Sequence, residues 1–154
     1  MKTNCRKSGQ KRVLVVDDDP SVREMLMRVL VNEGYKVWTA ANGTGALEIA
    51  ASARVDLVIL DLMLPGENGW DVFERLTTES PLLSVIIATA RSDQVFTAAA
   101  AGVGALLEKP LDFPKLLQTV GDLLAEPPEV RLARMVGKSA KLRYLPAQRK
   151  GAAK

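Results

Sequence analysis

VDLVILDLMLPG, residues 55–66, contains an apolar run that ends on the acidic side chain of Asp61, and the stretch closes with a Pro-Gly turn. Consecutive apolar residues in such a short run predict a buried parallel strand. Asp61 therefore lies at the carboxyl end of a strand, which is where an open α/β sheet presents its ligands. A lone Asp at this place would more often only cap the loop. Whether Asp61 has a functional role therefore depends on which other residues lie near it.

Strand and helix patterns alternate on both sides of this run. Short apolar segments predict strands, and apolar residues three and four apart predict amphipathic helices between them. Asp19 and Pro20 are typical of the start of a helix, and Gly34 and Gly102 of helix ends. The predicted strands are 12–16, 35–40, 58–60, 83–88 and 105–108, and the predicted helices are 21–34, 43–53, 70–78, 92–101 and 113–124.

Five strand and helix units in strict alternation predict a parallel sheet with helices on both faces, an α/β fold. All strands of such a sheet end at the same edge. Asp17 and Asp18 follow the first strand, Asp61 ends the third, Thr89 the fourth and Lys109 the fifth. We expect these five side chains to converge on one rim, although each singly has an ordinary structural explanation.

Three carboxylates at one rim would repel one another unless a cation neutralises them. A hard divalent ion with oxygen ligands meets that need, and Mg²⁺ is favoured because it keeps waters and accepts phosphate oxygens. Asp18 and Asp61 would be direct ligands, Asp17 a direct or water-mediated one, and the backbone carbonyl of Met63 a further candidate. The chain has no His and a single Cys5, in a polar leader, which argues against zinc.

The chemistry that fits this rim is phosphoryl transfer to a carboxylate. Asp61 would be the nucleophile and form an acyl phosphate, while Lys109 and the Thr89 hydroxyl would bind the equatorial oxygens of the transferring group. No GxxxxGK[ST] phosphate loop occurs in the chain. We therefore expect another molecule to bring the phosphoryl donor.

Four motifs resemble the receiver domain of two-component response regulators: VLVVDDDP at 13–20, VILDLMLPGENG at 58–69, IIATA at 86–90 and LLEKPL at 106–111. The resemblance covers about residues 11–125. It implies a flavodoxin-like (βα)₅ fold with a five-stranded parallel sheet of order 2-1-3-4-5.

The resemblance also implies a role for each rim residue. Asp61 would be the phosphoacceptor, Asp17 and Asp18 the acidic pair for Mg²⁺, Thr89 the switch hydroxyl and Lys109 the phosphate-contacting lysine. The donor would be a phosphohistidine on a sensor histidine kinase or a histidine phosphotransfer protein of a two-component or phosphorelay system. The phosphoryl group would later be lost to water, so the chain would not be an enzyme beyond handling its own phosphoryl group.

Two features depart from that family. Leu106 stands three residues before the lysine, where the family usually has Tyr or Phe, and the segment 89–109 is slightly short. Both lie on the surface of the fourth helix, fifth strand and fifth helix, which in the family usually passes the signal to an output partner. We expect intact acceptor chemistry and an altered readout.

Charge divides the chain into three parts: a polar basic leader (1–10), the receiver domain (11–126) and a basic tail (127–154). Residues 13–126 hold eight Lys/Arg and seventeen Asp/Glu, whereas 127–154 hold eight Lys/Arg and one acid. The tail is expected to be partly disordered or to form one short helix through Met135, with residues beyond Gly137 mobile. It would be a solvated tail, a site for nucleic acid or an acidic protein, or a segment that folds back on the acidic body.

Other classes of function compete with the signalling switch. No apolar run reaches membrane-spanning length and the leader does not resemble a secretion signal, so a cytoplasmic protein without membrane contact is expected. A small transcriptional regulator that uses its basic ends on DNA is one alternative, against which the absence of a helix-turn-helix pattern counts. A Mg²⁺-dependent phosphohydrolase with an aspartyl-phosphate intermediate is the other, and it lacks a second acid or base.

Overall fold

A six-stranded sheet in which every neighbouring pair of strands is parallel forms the centre of the computed structural model. The structure describes residues 9–90, 92–94, 97–98, 101–136 and 142–148. The strands are β1 (Arg12–Val16), β2 (Lys36–Ala40), β3 (Leu57–Asp61), β4 (Met63–Leu64), β5 (Glu67–Asn68), β6 (Ser84–Thr89), β7 (Ala105–Glu108) and β8 (Arg143–Leu145). The order in the sheet is β2-β1-β3-β6-β7-β8, so the predicted 2-1-3-4-5 order is confirmed over the first five strands.

Among the described residues, five complete helices accompany these strands, and four of them begin at a polar side-chain cap. They are α1 (Pro20–Asn32), α2 (Gly43–Ser52), α3 (Gly69–Glu79), α4 (Phe113–Leu124) and α5 (Pro128–Met135). The side chains of Asp19, Asn42, Asn68 and Asp112 each accept a hydrogen bond from a backbone N–H of the first helical turn. The predicted fifth helix is therefore α4.

The predicted fourth helix falls between β6 and β7. A short 3₁₀ helix covers Ser92–Gln94, and Thr97, Ala98 and Ala101 are helical. The remaining residues of the predicted range lie outside the described residues.

Two apolar layers enclose the sheet because successive strand residues point to opposite faces. On one face Val13 and Val15 pack with α1 and α4, and on the other Leu14 and Val16 pack with α2 and α3. The strands are thus buried on both sides, as the continuous apolar runs predict. The polar side chains of β1, β3, β6 and β7 therefore lie at the strand ends, and those at the carboxyl ends are Asp61, Thr89 and Glu108.

The basic tail differs from its expected structure. The short helix through Met135 is present as α5, but residues 143–145 form β8, a parallel strand on β7 in which Tyr144 pairs with Leu106. A strand of three residues is too short to give a period, and its formation depends on the exposed edge of β7, which sequence alone does not display. Residues 137–141 and 149–154 lie outside the described residues.

No helix among the residues that the structure describes is long and apolar enough to span a membrane.

Gly69 packs closely against the backbone of Leu62, next to Asp61. A Cβ there would lie 2.5 Å from the Cα and 2.8 Å from the carbonyl oxygen of Leu62, the residue that follows Asp61. Gly69→Ala is therefore expected to lower the free energy of unfolding by roughly 1–3 kcal/mol, measured by urea denaturation.

Gly45 offers the matched control, since a Cβ on this α2 residue would meet nothing closer than the 3.4 Å contact to Asn42 Oδ1. Gly45→Ala should raise the free energy of unfolding by up to about 1 kcal/mol. Equal effects of the two substitutions would refute the close-packing explanation.

Candidate functional site

An acidic cluster occupies the carboxyl edge of the sheet. Asp17 and Asp18 follow β1 and Asp61 ends β3, and one carboxylate oxygen of each lies within 4.8 Å of the others. Asp17 and Asp61 are buried, with 2% and 4% of their surface exposed, whereas Asp18 is exposed. Asp18, Asp61 and Met63 are among the residues that line an open cleft of about 750 Å³. The edge therefore combines two desolvated carboxylates with one that faces solvent.

Lys109 brings the only charge of opposite sign that lines this cleft in the described part of the chain. Its Nζ donates hydrogen bonds to Asp17 Oδ2 at 2.7 Å and to Asp61 Oδ2 at 3.1 Å. Because Lys109 follows β7, its side chain reaches past β6 to the ends of β3 and β1. One ammonium group thus bridges both buried carboxylates and offsets one of their two negative charges.

Backbone N–H groups hold the second oxygen of each buried carboxylate. Asp61 Oδ1 accepts from the Met63 N–H and Asp17 Oδ1 from the Asp19 N–H, both at 2.9 Å. Each aspartate thus has one oxygen fixed by its own turn and the other held by Lys109. Arg23 adds a hydrogen bond of 2.7 Å from Nη1 to the backbone oxygen of Asp17, which joins the first turns of α1 to the site.

Thr89 lies at the end of β6 and is fully buried. Its backbone oxygen accepts a 2.8 Å hydrogen bond from the Lys109 N–H, and the next residue, Ala90, lines the cleft. The structure therefore places Thr89 directly beside the backbone of the bridging lysine. The roles expected for Thr89 and for the Met63 carbonyl remain predictions.

Burial and charge shift the pKa values of this site in definite directions. Burial raises the pKa of the Asp61 carboxyl above its ordinary value, against the lowering effects of the Met63 N–H and of Lys109, and nearby Asp17 raises it further. Burial alone would lower the pKa of Lys109, but the hydrogen bond to Asp17 and the charges of Asp61 and Asp17 outweigh it, so that pKa is raised. The stabilisation by Lys109 is therefore complete below its unfolded-state pKa and lost as the pH rises through the higher folded-state value.

Glu67 is a site residue that the sequence reasoning missed. It lines the cleft, and its carboxylate accepts a hydrogen bond of 2.5 Å from the Gly43 N–H at the start of α2. This contact fixes the β4–β5 hairpin beside Asp61. Glu67 stands within the motif 58–69, but it does not end a strand, so the rule of converging strand ends did not select it.

The family comparison covers most of the folded part of the chain. Residues 13–121 match the protein family described as "Response regulator receiver domain". This range contains every side chain placed at the carboxyl edge above.

Curated relatives are longer proteins. The DNA-binding response regulator MtrA of Mycolicibacterium smegmatis is 46% identical over 86 residues, which are 56% of this chain and 37% of that protein. The response regulator MprA of Mycolicibacterium vanbaalenii is 40% identical over 115 residues, which are 73% of this chain and 50% of that protein. The chain thus spans half or less of the length of these relatives.

Solved structures agree with the fold over most of the chain. The response regulator TrrA of Thermotoga maritima, in complex with Mg²⁺ and BeF, matches with a TM-score of 0.69 and 36% identity, covering 74% of this chain and 99% of that one. The chemotaxis protein CheY4 of Vibrio cholerae matches with a TM-score of 0.70 and 30% identity, covering 74% and 98%.

Asp61→Asn is expected to stabilise the metal-free protein at neutral pH. Because folding raises the pKa of Asp61, the ionised carboxyl destabilises the folded chain. This effect is absent below about pH 4, grows as the pH rises from there, and is complete above the folded-state pKa. Urea unfolding at pH 7 should show a gain on the order of 1 kcal/mol, while Lys109 keeps its contact with Asp17.

Asp71→Asn, the same change on an exposed residue of α3, serves as the control and should give no such gain. A loss of stability for Asp61→Asn at pH 7, or an equal gain at pH 4, would contradict the assigned electrostatics.

Proposed function

This chain belongs to the response regulator receiver domain family, and from that premise we propose that it is a phosphorylation-dependent signalling switch with Asp61 as the phosphoacceptor. The observation that carries the proposal is the arrangement around Asp61. Its buried carboxylate lies at the end of β3, beside two further carboxylates and in contact with Lys109. Such a site combines a nucleophile with groups that bind a phosphoryl group.

The acidic cluster fits a hard divalent ion. Asp17, Asp18 and Asp61 each offer an oxygen within 4.8 Å of the others, the cleft is open to water, and no thiol or imidazole lines it among the described residues. This donor set suits Mg²⁺, with the Met63 carbonyl as a further candidate ligand. When bound, Mg²⁺ would neutralise the carboxylates and the charge that develops on the transferring group.

The transfer itself uses groups of this chain. A carboxylate oxygen of Asp61 attacks phosphorus, a P–O bond forms, and the P–N bond of the donor phosphohistidine breaks with its electron pair returning to the imidazole. Lys109 moves its ammonium from the carboxylate to the equatorial oxygens of the phosphoryl group. Thr89 supplies a hydroxyl at the end of β6 for the same oxygens. Water later hydrolyses the acyl phosphate and restores Asp61.

The donor in this proposal is a sensor histidine kinase or a histidine phosphotransfer protein, since response regulators are phosphorylated by histidine kinases. Output proceeds through protein contact on the side of the sheet that carries β7 and α4. DNA binding is a second candidate, favoured by the similarity to the DNA-binding response regulator MtrA and by the basic tail. Gel-shift titration at low salt tests it, because electrostatic binding to DNA weakens steeply with salt and no binding at low salt removes the candidate.

Intact mass spectrometry tests the acceptor directly. Incubation with Mg²⁺ and acetyl phosphate should add one phosphoryl group to the protein and none to Asp61→Asn, because among the described residues Asp61 is the carboxylate that both lines the open cleft and contacts Lys109. Omitting Mg²⁺ should reduce the gain at least tenfold.

Asp71→Asn controls for the loss of a carboxylate outside the cleft and should accept the phosphoryl group normally. A mass gain that persists in Asp61→Asn would show that another residue accepts the phosphoryl group. Steady release of phosphate from small phosphate esters would favour the phosphohydrolase instead.

A further inference from the structure

The C-terminal segment 142–148 touches both neighbours of the bridging lysine. Tyr144 Oη donates a 2.6 Å hydrogen bond to Glu108 Oε2, and the Ala147 N–H donates to Glu108 Oε1 at 3.2 Å. The Gln148 N–H donates to the Pro110 oxygen at 3.0 Å. The tail segment is therefore hydrogen-bonded to Glu108 and Pro110, the residues on either side of Lys109.

The same segment also closes the edge of the sheet. β8 pairs with β7 in parallel register, and the Arg143 N–H donates to the Gly104 oxygen at 3.2 Å. With this strand in place, the backbone edge of β7 is not available for pairing with another strand.

Glu126 holds the tail by charge. Its Oε2 lies 2.6 Å from Arg134 Nη2 of α5 and 3.5 Å from Arg143 Nη2 of β8. Arg134 and Glu126 are both largely buried, with side chains 6% and 9% exposed. Glu126, just beyond the end of α4, therefore holds both α5 and β8 through ion pairs.

We propose that this segment is a clamp whose hold is coupled to the phosphoryl site: phosphorylation of Asp61 loosens β8 and exposes the edge of β7. The inference rests on the proposed function. The contacts to Glu108 and Pro110 form while Lys109 bridges Asp17 and Asp61. A phosphoryl group places its oxygens beyond the carboxylate of Asp61, so the ammonium must shift to follow them.

The shift is transmitted through the backbone of Lys109. Its N–H is bonded to the Thr89 oxygen on one side, and its two neighbours are bonded to the clamp on the other. The hydrogen bonds between the clamp and residues 108–110 form when Asp61 carries no phosphoryl group. A displacement of residues 108–110 on phosphorylation would lengthen these hydrogen bonds. Because coupling between two sites is reciprocal, a weakened clamp must also favour occupancy of the phosphoryl site by the same factor.

Hydrogen exchange measured by mass spectrometry on the full chain tests this coupling. After treatment with acetyl phosphate and Mg²⁺, the peptide that contains β8 should exchange at least fivefold faster than in untreated protein, and intact mass of the same sample reports the phosphorylated fraction. A phosphorylated sample with unchanged or slower exchange in β8 would overturn the clamp and leave the proposed function standing. No mass gain would overturn both.

Tyr144→Phe provides the reciprocal arm, since it removes the hydroxyl that binds Glu108 and leaves the strand pairing in place. This variant should bind Mg²⁺ and beryllium fluoride, a phosphoryl analogue, at least threefold more tightly than the unaltered chain. Tyr35→Phe makes the same chemical change next to β2 and should bind the analogue unchanged. Equal affinities of Tyr144→Phe and the unaltered chain would overturn the coupling.

Discussion

The ammonium group of Lys109 holds together two buried carboxylates, Asp17 and Asp61, and offsets part of their negative charge. Asp17 and Asp61 are almost fully desolvated, and each would repel the other without a cation between them. Removing the lysine would leave both carboxylates buried without a counter-charge, a change that typically costs about 3–5 kcal/mol. The bridge joins the ends of β1, β3 and β7, so the strand order that brings these ends to one edge is a requirement of the site as well as of the core.

Sequence alone predicts the parts of the fold that depend on local pattern. β1 and β7 match their predicted bounds because each is a short apolar run with clear borders, Lys11 and Asp17 for β1 and Gly104 and Lys109 for β7. The proximity of Asp17, Asp61 and Lys109 could be predicted because parallel strands end at one edge of the sheet. The β4–β5 hairpin and the contact from Glu67 to Gly43 were not predicted, since two-residue strands show no period and the contact joins residues 24 positions apart.

The tail shows a different limit of sequence reasoning. Its positive charge beside an acidic body indicated folding back as one of three alternatives, and the ion pairs of Glu126 with Arg134 and Arg143 give that alternative its physical form. The pairing of Tyr144 with Leu106 could not be predicted, because it requires the open edge of β7 in three dimensions. Leu106 itself is fully buried. Both Leu106 and the tail strand that pairs with it lie at the side of the sheet expected to carry the output.

Chemical trapping of the acceptor tests the central claim most directly. Borohydride reduces an aspartyl phosphate to homoserine and releases phosphate, so reduction of the phosphorylated chain followed by peptide sequencing marks the residue that carried the group. We expect homoserine at position 61 and at no other aspartate. Homoserine at Asp17 or Asp18, or a phosphorylated chain that yields no homoserine, would contradict it.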